Sequence, residues 1–453
     1  MISFICNNEL VSTDCSTGLP LLDWIRSQHG IKGTKEGCRE GDCGACTVLL
    51  GKQVSGGMVY SALCSCLLPT GEANGCHLVT IEGLTTEDEL TPFQNSFYNE
   101  AASQCGFCTP GMIMSLTGCL LSSQELTVSA AMESLGGNIC RCTGYVAVKR
   151  AVEDVMNSFP SRYANRLEML ISRGHVPDYF RTVPDRLKLL PQLVSQGQGA
   201  LIAGGTDMYV HSSDESVTAD PVLLSGRKDL DFITIEGEFV KIGALVTTEQ
   251  LRTSRDINRF FPELNEYLLR VSSTQIRNRA TVGGNLVNAS PVADLAILFL
   301  ALNSTVFLSG GGAVPLHNFY LGYKKLALNP GEMLTHLSFP VPEKDAILSM
   351  LKVCKREYLD IASVNSALLI RTGNGCISSA RLSAGGVAPF PLLLERTASF
   401  LCGKPLNRKT IKDACRIASL EVSPISDIRG SSEYKRELLG AEIMAHLTRL
   451  EAL

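Results

Sequence analysis

Lys35-Glu36-Gly37-Cys38-Arg39-Glu40-Gly41-Asp42-Cys43-Gly44-Ala45-Cys46 sets three cysteines among three glycines in one short loop. A loop that wraps a compact inorganic core needs close backbone approach and N–H groups aimed at sulfur, and glycine permits both. Outward from this loop the pattern is that of a small sheet. Ile2, Phe4 and Cys6 alternate up to a turn at Asn7-Asn8, and an apolar stripe from Leu21 through Trp24 and Ile25 predicts a helix that stops at Gly30. Residues 47–50 and 78–81 supply further strands, so residues 1–82 read as one α+β unit with the cysteine loop on it.

Cys38-x4-Cys43-x2-Cys46 with a distant fourth cysteine is the spacing of plant-type [2Fe-2S] ferredoxins, and residues 1–82 are expected to form a ferredoxin-like (β-grasp) [2Fe-2S] domain. Structural zinc favours paired C-x2-C knuckles instead. Cys64 and Cys66 are two apart and on a strand would point to one face, so chemistry alone leaves the fourth ligand open between them. A second set follows. Cys105-Gly106-Phe107-Cys108 runs into Thr109-Pro110, an N-cap and first-turn proline, and Cys140-Arg141-Cys142-Thr143 runs into a helical pattern over 146–156. Each pair is thereby predicted at a helix N-terminus, where the partial positive charge stabilises thiolates. Met112, Ile113, Leu116 and Leu120 share one helical face, as do Val148, Val152, Val155 and Met156. Residues 83–159 therefore read as an all-α bundle [2Fe-2S] domain. A disulfide-exchange role for Cys105 and Cys108 would leave Cys140 and Cys142 unexplained.

Composition narrows the classes. The chain has 453 residues, too many for one core, with 19% charged and 45% hydrophobic residues and a formal charge of -4. There is no basic footprint for nucleic acid. No cationic segment precedes an apolar stretch at the N-terminus, and the apolar run 295–302 is far short of the roughly 20 residues of a membrane span, so a cytoplasmic protein is expected. Thirteen of the 17 cysteines lie at or before Cys142. That clustering favours metal ligation in a reducing compartment over a disulfide framework.

Residues 160–184 are charged, contain prolines and hold no sustained period, which reads as a linker. From 185 to 342, apolar segments (200–203, 239–244, 305–308) alternate with helical ones such as 291–302, giving an α/β domain, with Gly310-Gly311-Gly312 as a hairpin turn. Residues 343–453 begin with strands at 364–370 and 380–384 and finish with helices at 409–420 and 434–450, an α+β C-terminal cap. No G-x-G-x-x-G occurs, so a Rossmann site has no support. In its place an apolar strand runs into Gly204-Gly205-Thr206-Asp207, and a second loop reads Ala280-Thr281-Val282-Gly283-Gly284-Asn285. Turns of this kind, rich in N–H, hydroxyl and amide donors, can accept a pyrophosphate, although Gly-Gly turns also end strands for purely structural reasons.

Taken with Gln104-Cys105-Gly106-Phe107-Cys108-Thr109-Pro110-Gly111 and Gly137-Asn138-Ile139-Cys140-Arg141-Cys142-Thr143-Gly144-Tyr145, these motifs make the whole chain resemble the iron–sulfur and FAD subunits of bacterial xanthine dehydrogenases, within the molybdenum hydroxylases. The resemblance implies two [2Fe-2S] clusters, one on Cys38, Cys43, Cys46 and Cys66, the other on Cys105, Cys108, Cys140 and Cys142. It selects Cys66 over Cys64 by its distance from Glu82. It makes 185–342 an FAD-binding domain and 343–453 its C-terminal flavoprotein domain. Leu201, Ile202, Ala203, Gly204, Gly205, Thr206, Asp207 and Met208 are implied to line the FAD pyrophosphate, with Thr281, Asn285, Asp294, Leu334 and Lys352 as further flavin contacts. Val271 stands where relatives often carry an aromatic against the flavin. Gln104 is implied to face the pterin of a molybdenum cofactor on a separate large subunit, in an α2β2 hetero-oligomer, where the substrate chemistry would occur, so no catalytic residue is expected on this chain. Electrons would then run through both clusters to FAD and on to NAD during hypoxanthine and xanthine hydroxylation. The same relay in another molybdenum hydroxylase, acting on aldehydes or N-heterocycles with oxygen or a quinone, is the nearest alternative. A zinc-stabilised interaction protein is the alternative of a different class.

Overall fold

The computed structural model describes residues 1–85, 89–123, 125–160, 165–191, 197–211 and 219–451. The chain divides into two compact units, Met1–Gly226 with Ser273–Arg279, and Arg227–Ser272 with Ala280–Leu453. None of the described helices is long and apolar enough to cross a membrane.

In the first unit, strands β1 (Ile2–Cys6), β2 (Glu9–Thr13), β3 (Thr47–Val54), β4 (Gly57–Cys64) and β5 (His77–Val79) form one mixed sheet in the order β2-β1-β5-β3-β4. β1 pairs with β5 in parallel, and the other neighbours are antiparallel. Asn7 takes the left-handed conformation that tightens the β1–β2 turn, which Asn tolerates. Helix α1 (Leu21–Ser27) buries Leu21, Leu22, Trp24 and Ile25. The last predicted strand residues, from Thr80, leave the sheet: β5 ends at Val79 and Ile81–Gly83 is a 3-10 turn.

Four helices follow, α2 (Pro92–Asn99), α3 (Thr109–Ser122), α4 (Val128–Ser134) and α5 (Val146–Met156). Thr91 and Gln94 close a capping box at the start of α2. α3 is buried all round from Gly111 to Leu120, as a central helix of small and apolar residues must be. The described part of 160–184 is no linker. Arg166–Ser172 and Val183–Leu187 are helical, and Leu170, Val176 and Phe180 belong to the same apolar core as α3 and α5. Several short turns, each too brief to display a period, replace one long element; residues 161–164 lie outside the described residues.

In the second unit a five-stranded sheet joins Ile233–Glu236, Phe239–Gly243, Leu334–Pro340, Thr305–Leu308 and Ala313–Pro315. All of its pairs are antiparallel. The α/β alternation expected over 185–342 therefore does not build a parallel sheet there: the connections at Glu236–Phe239 and over Gly310-Gly311-Gly312 are too short for crossovers. Among the described residues of that range the one parallel pair, Leu201–Ile202 with Val222–Leu223, belongs to the first unit. The apolar helix Asp294–Ala301 is buried. Beyond it, Ile347–Val353, Val364–Gly373, Cys376–Gly385 and Leu392–Leu393 form an antiparallel sheet accompanied by helices Glu395–Leu401, Arg408–Glu421 and Ser432–Glu451.

Candidate iron–sulfur and flavin sites

The first cysteine loop holds its shape through glycine. A Cβ on Gly37 would stand 2.7 Å from Cys43 Sγ, and Gly41 and Gly44 have φ of +75° and +65°. The N–H groups of Glu40 and Asp42 each donate to Cys38 Sγ at 3.3 Å. Cys46 Sγ lies 3.4 Å from Cys66 Sγ. Cys66 is not on a strand beside Cys64 as the two-residue spacing suggests: β4 ends at Cys64, and Ser65–Leu67 is a 3-10 turn pinned by Ser65 Oγ to the Cys46 carbonyl at 2.7 Å. Cys64 is buried, with its thiol 3.8 Å from the Gly41 carbonyl.

In the second set Cys108, rather than Thr109, caps α3, and Cys140 and Cys142 stand a few residues ahead of α5, whose cap is the left-handed Tyr145. Only the Cys108 pair therefore sits at a helix start. Cys142 Sγ is 3.6 Å from Cys105 Sγ, and Thr143 Oγ1 donates to Cys140 Sγ at 3.2 Å. Tyr145 Oη accepts from the Cys140 N–H at 2.8 Å. Cys105, Cys142 and Gln104 are exposed, whereas Cys108 and Cys140 are buried. Phe107, Ile139 and Tyr145, 46%, 42% and 39% exposed, leave apolar surface open within the two cysteine segments.

The sulfurs meet in twos. Hydrogen bonding to Cys43 first, and then the Glu40 and Asp42 N–H groups, draw the Cys38 thiol down to about 6 against its burial, while the same Cys38 bond and then burial push Cys43 up. Cys46 is held well below the usual thiol range by Cys64 and Cys66, both of which are raised by that bond and by burial. Burial, then the Cys140 bond, pushes Cys108 up to about 12; Cys140 is lowered despite its burial because Thr143 donates to it. Metal binding would displace the protons that the raised thiols still carry. Among the described residues no three His, Cys, Asp or Glu side chains converge as a mononuclear site requires. Two thiol pairs per site fit a two-iron core better than a single tetrahedral zinc.

A polar knot joins the two loops. The Ile139 N–H donates to the Cys43 carbonyl at 3.0 Å, so backbone beside a cysteine of one set bonds directly to a cysteine of the other. Asn138 Nδ2 donates to the Gly44 carbonyl at 3.0 Å, and Ser115 Oγ to Asn138 Oδ1 at 2.8 Å. Gln275 Nε2 reaches Ser115 Oγ, the Ser134 carbonyl and Asn138 Oδ1 at 2.7, 3.1 and 3.1 Å. Sequence reading missed Ser115 and Gln275, which carry no metal-ligand or phosphate signature.

The expected flavin residues fall in both units. In the first, Leu201 and Ile202 are strand, Gly205 has φ +74°, and Met208–His211 is a short helical turn. Tyr209 Oη donates to the Gly18 carbonyl at 2.7 Å. In the second, Thr281 caps the helix Val282–Asn288 and accepts from the Gly284 N–H at 3.1 Å, so the second glycine loop is a helix start and not a free turn. Asn285 Oδ1 is buried without a partner among the described residues, as an acceptor awaiting a ligand donor would be. Asp294 and Lys352 come together: Lys352 Nζ bonds Asp294 Oδ2 at 2.9 Å and the Arg270 carbonyl at 3.1 Å, while Tyr267 Oη and Asn365 Nδ2 donate to Asp294 Oδ1 at 2.9 and 2.7 Å. Leu334 opens its strand, and Leu334 and Val271 are both buried in the apolar core.

Known proteins share this construction. Residues 80–153 match the [2Fe-2S] binding domain, 179–342 the FAD binding domain in molybdopterin dehydrogenase, and 349–449 the CO dehydrogenase flavoprotein C-terminal domain. In that order on one chain, the matches join an iron–sulfur domain to FAD-binding and flavoprotein domains. Among relatives, Xanthine dehydrogenase 1 of Arabidopsis thaliana is 28% identical over 93% of this chain and 37% of its own length. Aldehyde oxidase 1 of Bos taurus is 27% identical over 97% of this chain and 38% of its own length. The chain thus spans little more than a third of these relatives. Reconstituted CO dehydrogenase from Oligotropha carboxidovorans superposes with a TM-score of 0.52 at 28% identity, covering 55% of this chain and 88% of that one. Quinoline 2-oxidoreductase from Pseudomonas putida 86 gives a TM-score of 0.52 at 26% identity, with the same coverage.

Proposed function

We propose that this chain is the electron-transfer subunit of a xanthine dehydrogenase, acting beside a molybdenum-binding large subunit in an α2β2 assembly in the cytoplasm. Cys105, Cys108, Cys140 and Cys142 hold the [2Fe-2S] cluster nearer the partner, and Cys38, Cys43, Cys46 and Cys66 hold the second. The loop from Leu201 to Met208, with Thr281, Asn285, Asp294, Leu334 and Lys352, receives FAD. These residues would hold clusters that supply one-electron transfer and a flavin that supplies hydride transfer to NAD. The carrying observation is the Ile139–Cys43 hydrogen bond, which puts the two thiol sets one backbone bond apart within one compact unit. The residues' own work is positional: glycines admit the core, N–H and hydroxyl groups stabilise thiolate, and exposed Cys105 and Cys142 offer an entry point bordered by apolar surface for the partner.

Co-purification with the molybdenum-binding subunit, followed by xanthine-dependent NADH formation, tests the assignment. Reduction by aldehydes or N-heterocycles alone, or turnover with oxygen or a quinone alone, moves it to the second reading. The likeness to an aldehyde oxidase and to a quinoline oxidoreductase favours that second reading. A colourless protein containing zinc would sink both.

A further inference from the structure

The Gly204-Gly205 turn is gripped from behind by one side chain. Arg279 directs all three guanidinium nitrogens at fixed acceptors: Nε to the Gly204 carbonyl, one Nη to the Ala203 carbonyl, and the other to Glu72 Oε2, each at 2.9 Å. Glu72 lies in the 3-10 turn Thr70–Ala73, immediately before β5 of the mixed sheet. Its side chain is 1% exposed and that of Arg279 11%. Lys52 Nζ, on β3, stands 3.8 Å from the same carboxylate oxygen. All of these residues belong to the first compact unit.

Burial alone would raise the Glu72 carboxyl, yet Arg279 and Lys52 hold it below its ordinary value, so the pair is ionic. A buried ion pair is poor evidence of a stabilising role, since apolar residues of similar volume often serve as well. Its geometry points elsewhere. In a trans peptide the C=O and N–H point in opposite directions. Fixing the Ala203 and Gly204 carbonyls on the guanidinium therefore turns the N–H groups of Gly204 and Gly205 away from it, side by side. Neither N–H donates to another group among the described residues. Two adjacent outward N–H groups in a turn with φ +74° form an anion-binding concavity. Two cations against one carboxylate leave a positive charge behind it. A diglycine turn without this grip would sample many conformations.

We propose that Arg279 and Glu72 are positioning residues that preset the Gly204-Gly205 turn for a diphosphate, making flavin retention depend on a carboxylate from the 3-10 turn that leads into the sheet carrying the first cysteine loop. The inference rests on reading Leu201 to Met208 as the diphosphate loop.

The test uses the full chain with its clusters, stripped of flavin and titrated with FAD, ADP and riboflavin. Arg279→Met is expected to weaken FAD and ADP by about thirtyfold, the worth of lost hydrogen bonds to a charged group, with riboflavin little changed. Arg279→Lys, a single-headed cation, restores only part of the loss. Glu72→Gln, which frees the guanidinium, moves affinity in the same direction with iron content and cluster EPR signals intact. Gly205→Val separates the clamp from the loop it holds. If it ejects FAD while Arg279→Met keeps full affinity, the clamp is refuted and the loop reading stands; if it keeps FAD, the loop reading falls as well. Should Arg279→Met fold poorly, Glu72→Gln decides: flavin loss alone supports the clamp, and equal loss of FAD, riboflavin and iron refutes it.

Discussion

Replacing Gly111 by Ala sets two effects of opposite sign against each other. Gly111 is the third residue of α3, and in a helix interior Ala exceeds Gly by about 1 kcal/mol. Packing reverses this. A Cβ on Gly111 would lie 2.2 Å from the Gly44 oxygen, 3.1 Å from its carbonyl carbon and 3.2 Å from Ala45 Cα. Non-bonded heavy atoms at these positions prefer about 3.5 Å, so the helix and the cysteine loop must part by roughly 1 Å. Gly44 cannot yield easily. Its own Cβ position is 2.4 Å from the Gly137 carbonyl oxygen, and its carbonyl already accepts from Asn138 Nδ2 and from Thr47 Oγ1 at 3.0 and 2.6 Å. Overpacking costs about 1–3 kcal/mol and a disrupted hydrogen bond about 1 more, so the net effect is a loss of about 1–3 kcal/mol. At roughly 2–4 °C per kcal/mol for a unit of this size, Gly111→Ala lowers the melting temperature of the first unit by about 2–12 °C, followed by loss of cluster visible circular dichroism. A melting temperature equal to or above that of the parent would mean that helix propensity outweighs the contact with Gly44.

Cys43→Ser abolishes one of two [2Fe-2S] EPR signals and leaves FAD bound; disappearance of both signals would show that the two sets cannot be loaded separately. Thr143→Ala removes the hydroxyl donor to Cys140 Sγ, which favours the more negative reduced centre, so that centre's potential falls by roughly 40 mV, the equivalent of about 1 kcal/mol, in an EPR-monitored redox titration. In the second unit, Glu442 and His446 share Ser366, and burial first raises the Glu442 carboxyl from 4.5 to about 7 and lowers His446 from 6.5 to about 3. Glu442 thus loses stability as pH rises from 4.5 to 7, whereas His446 loses it as pH falls from 6.5 to 3, and the two slopes cancel between 4.5 and 6.5. In Glu442→Gln the melting temperature of that unit climbs with pH across this window and exceeds the parent's above pH 7; a flat profile in the variant would count against it.

What the sequence displayed was whatever repeats or clusters locally. The α3 and α5 stripes, the strands at Phe239–Gly243 and Thr305–Leu308, and the hairpin at Gly310-Gly311-Gly312 all announce themselves within a few residues. Helix α1 stops at Ser27 rather than at Gly30 because the Ser27 hydroxyl and the Gln28 amide both donate to the Trp24 carbonyl. The helix expected over 291–302 begins only at Asp294. The second glycine loop hid a helix start, since Thr281 caps a turn whose glycines also permit close approach to Ala244. Distant partnerships left no local trace. Arg279 and Glu72 are 207 positions apart, and Gln275 and Ser115 are 160 apart; each residue alone looks like ordinary polar surface. The cysteine pairs were legible because metal chemistry imposes spacing, whereas the groups that orient them obey only three-dimensional proximity.

Ser273–Arg279 shows why such groups matter for position more than for stability. Three of its polar side chains reach separate segments: Gln275 bonds Ser115, Ser134 and Asn138, Asn278 the Ala62 carbonyl, and Arg279 Glu72 and the Gly204 turn. The network is not fully satisfied, because Gln275 Oε1 is buried without a partner. Three hydrogen bonds of about 1 kcal/mol each are then set against an unmet acceptor costing about 1–3 kcal/mol. In Gln275→Leu both terms vanish at similar volume, while Ser115 keeps its bonds to Asn138 Oδ1 and to the Gly111 carbonyl. The melting temperature of the first unit should therefore fall by at most about 8 °C, equivalent to about 2 kcal/mol. The variant loses one of the bonds that place Asn138 next to Ile139, which loosens the Ile139–Cys43 contact, so the magnetic interaction between the reduced clusters changes more than stability does. A large destabilisation with an unaltered interaction would mean the strap is scaffolding alone.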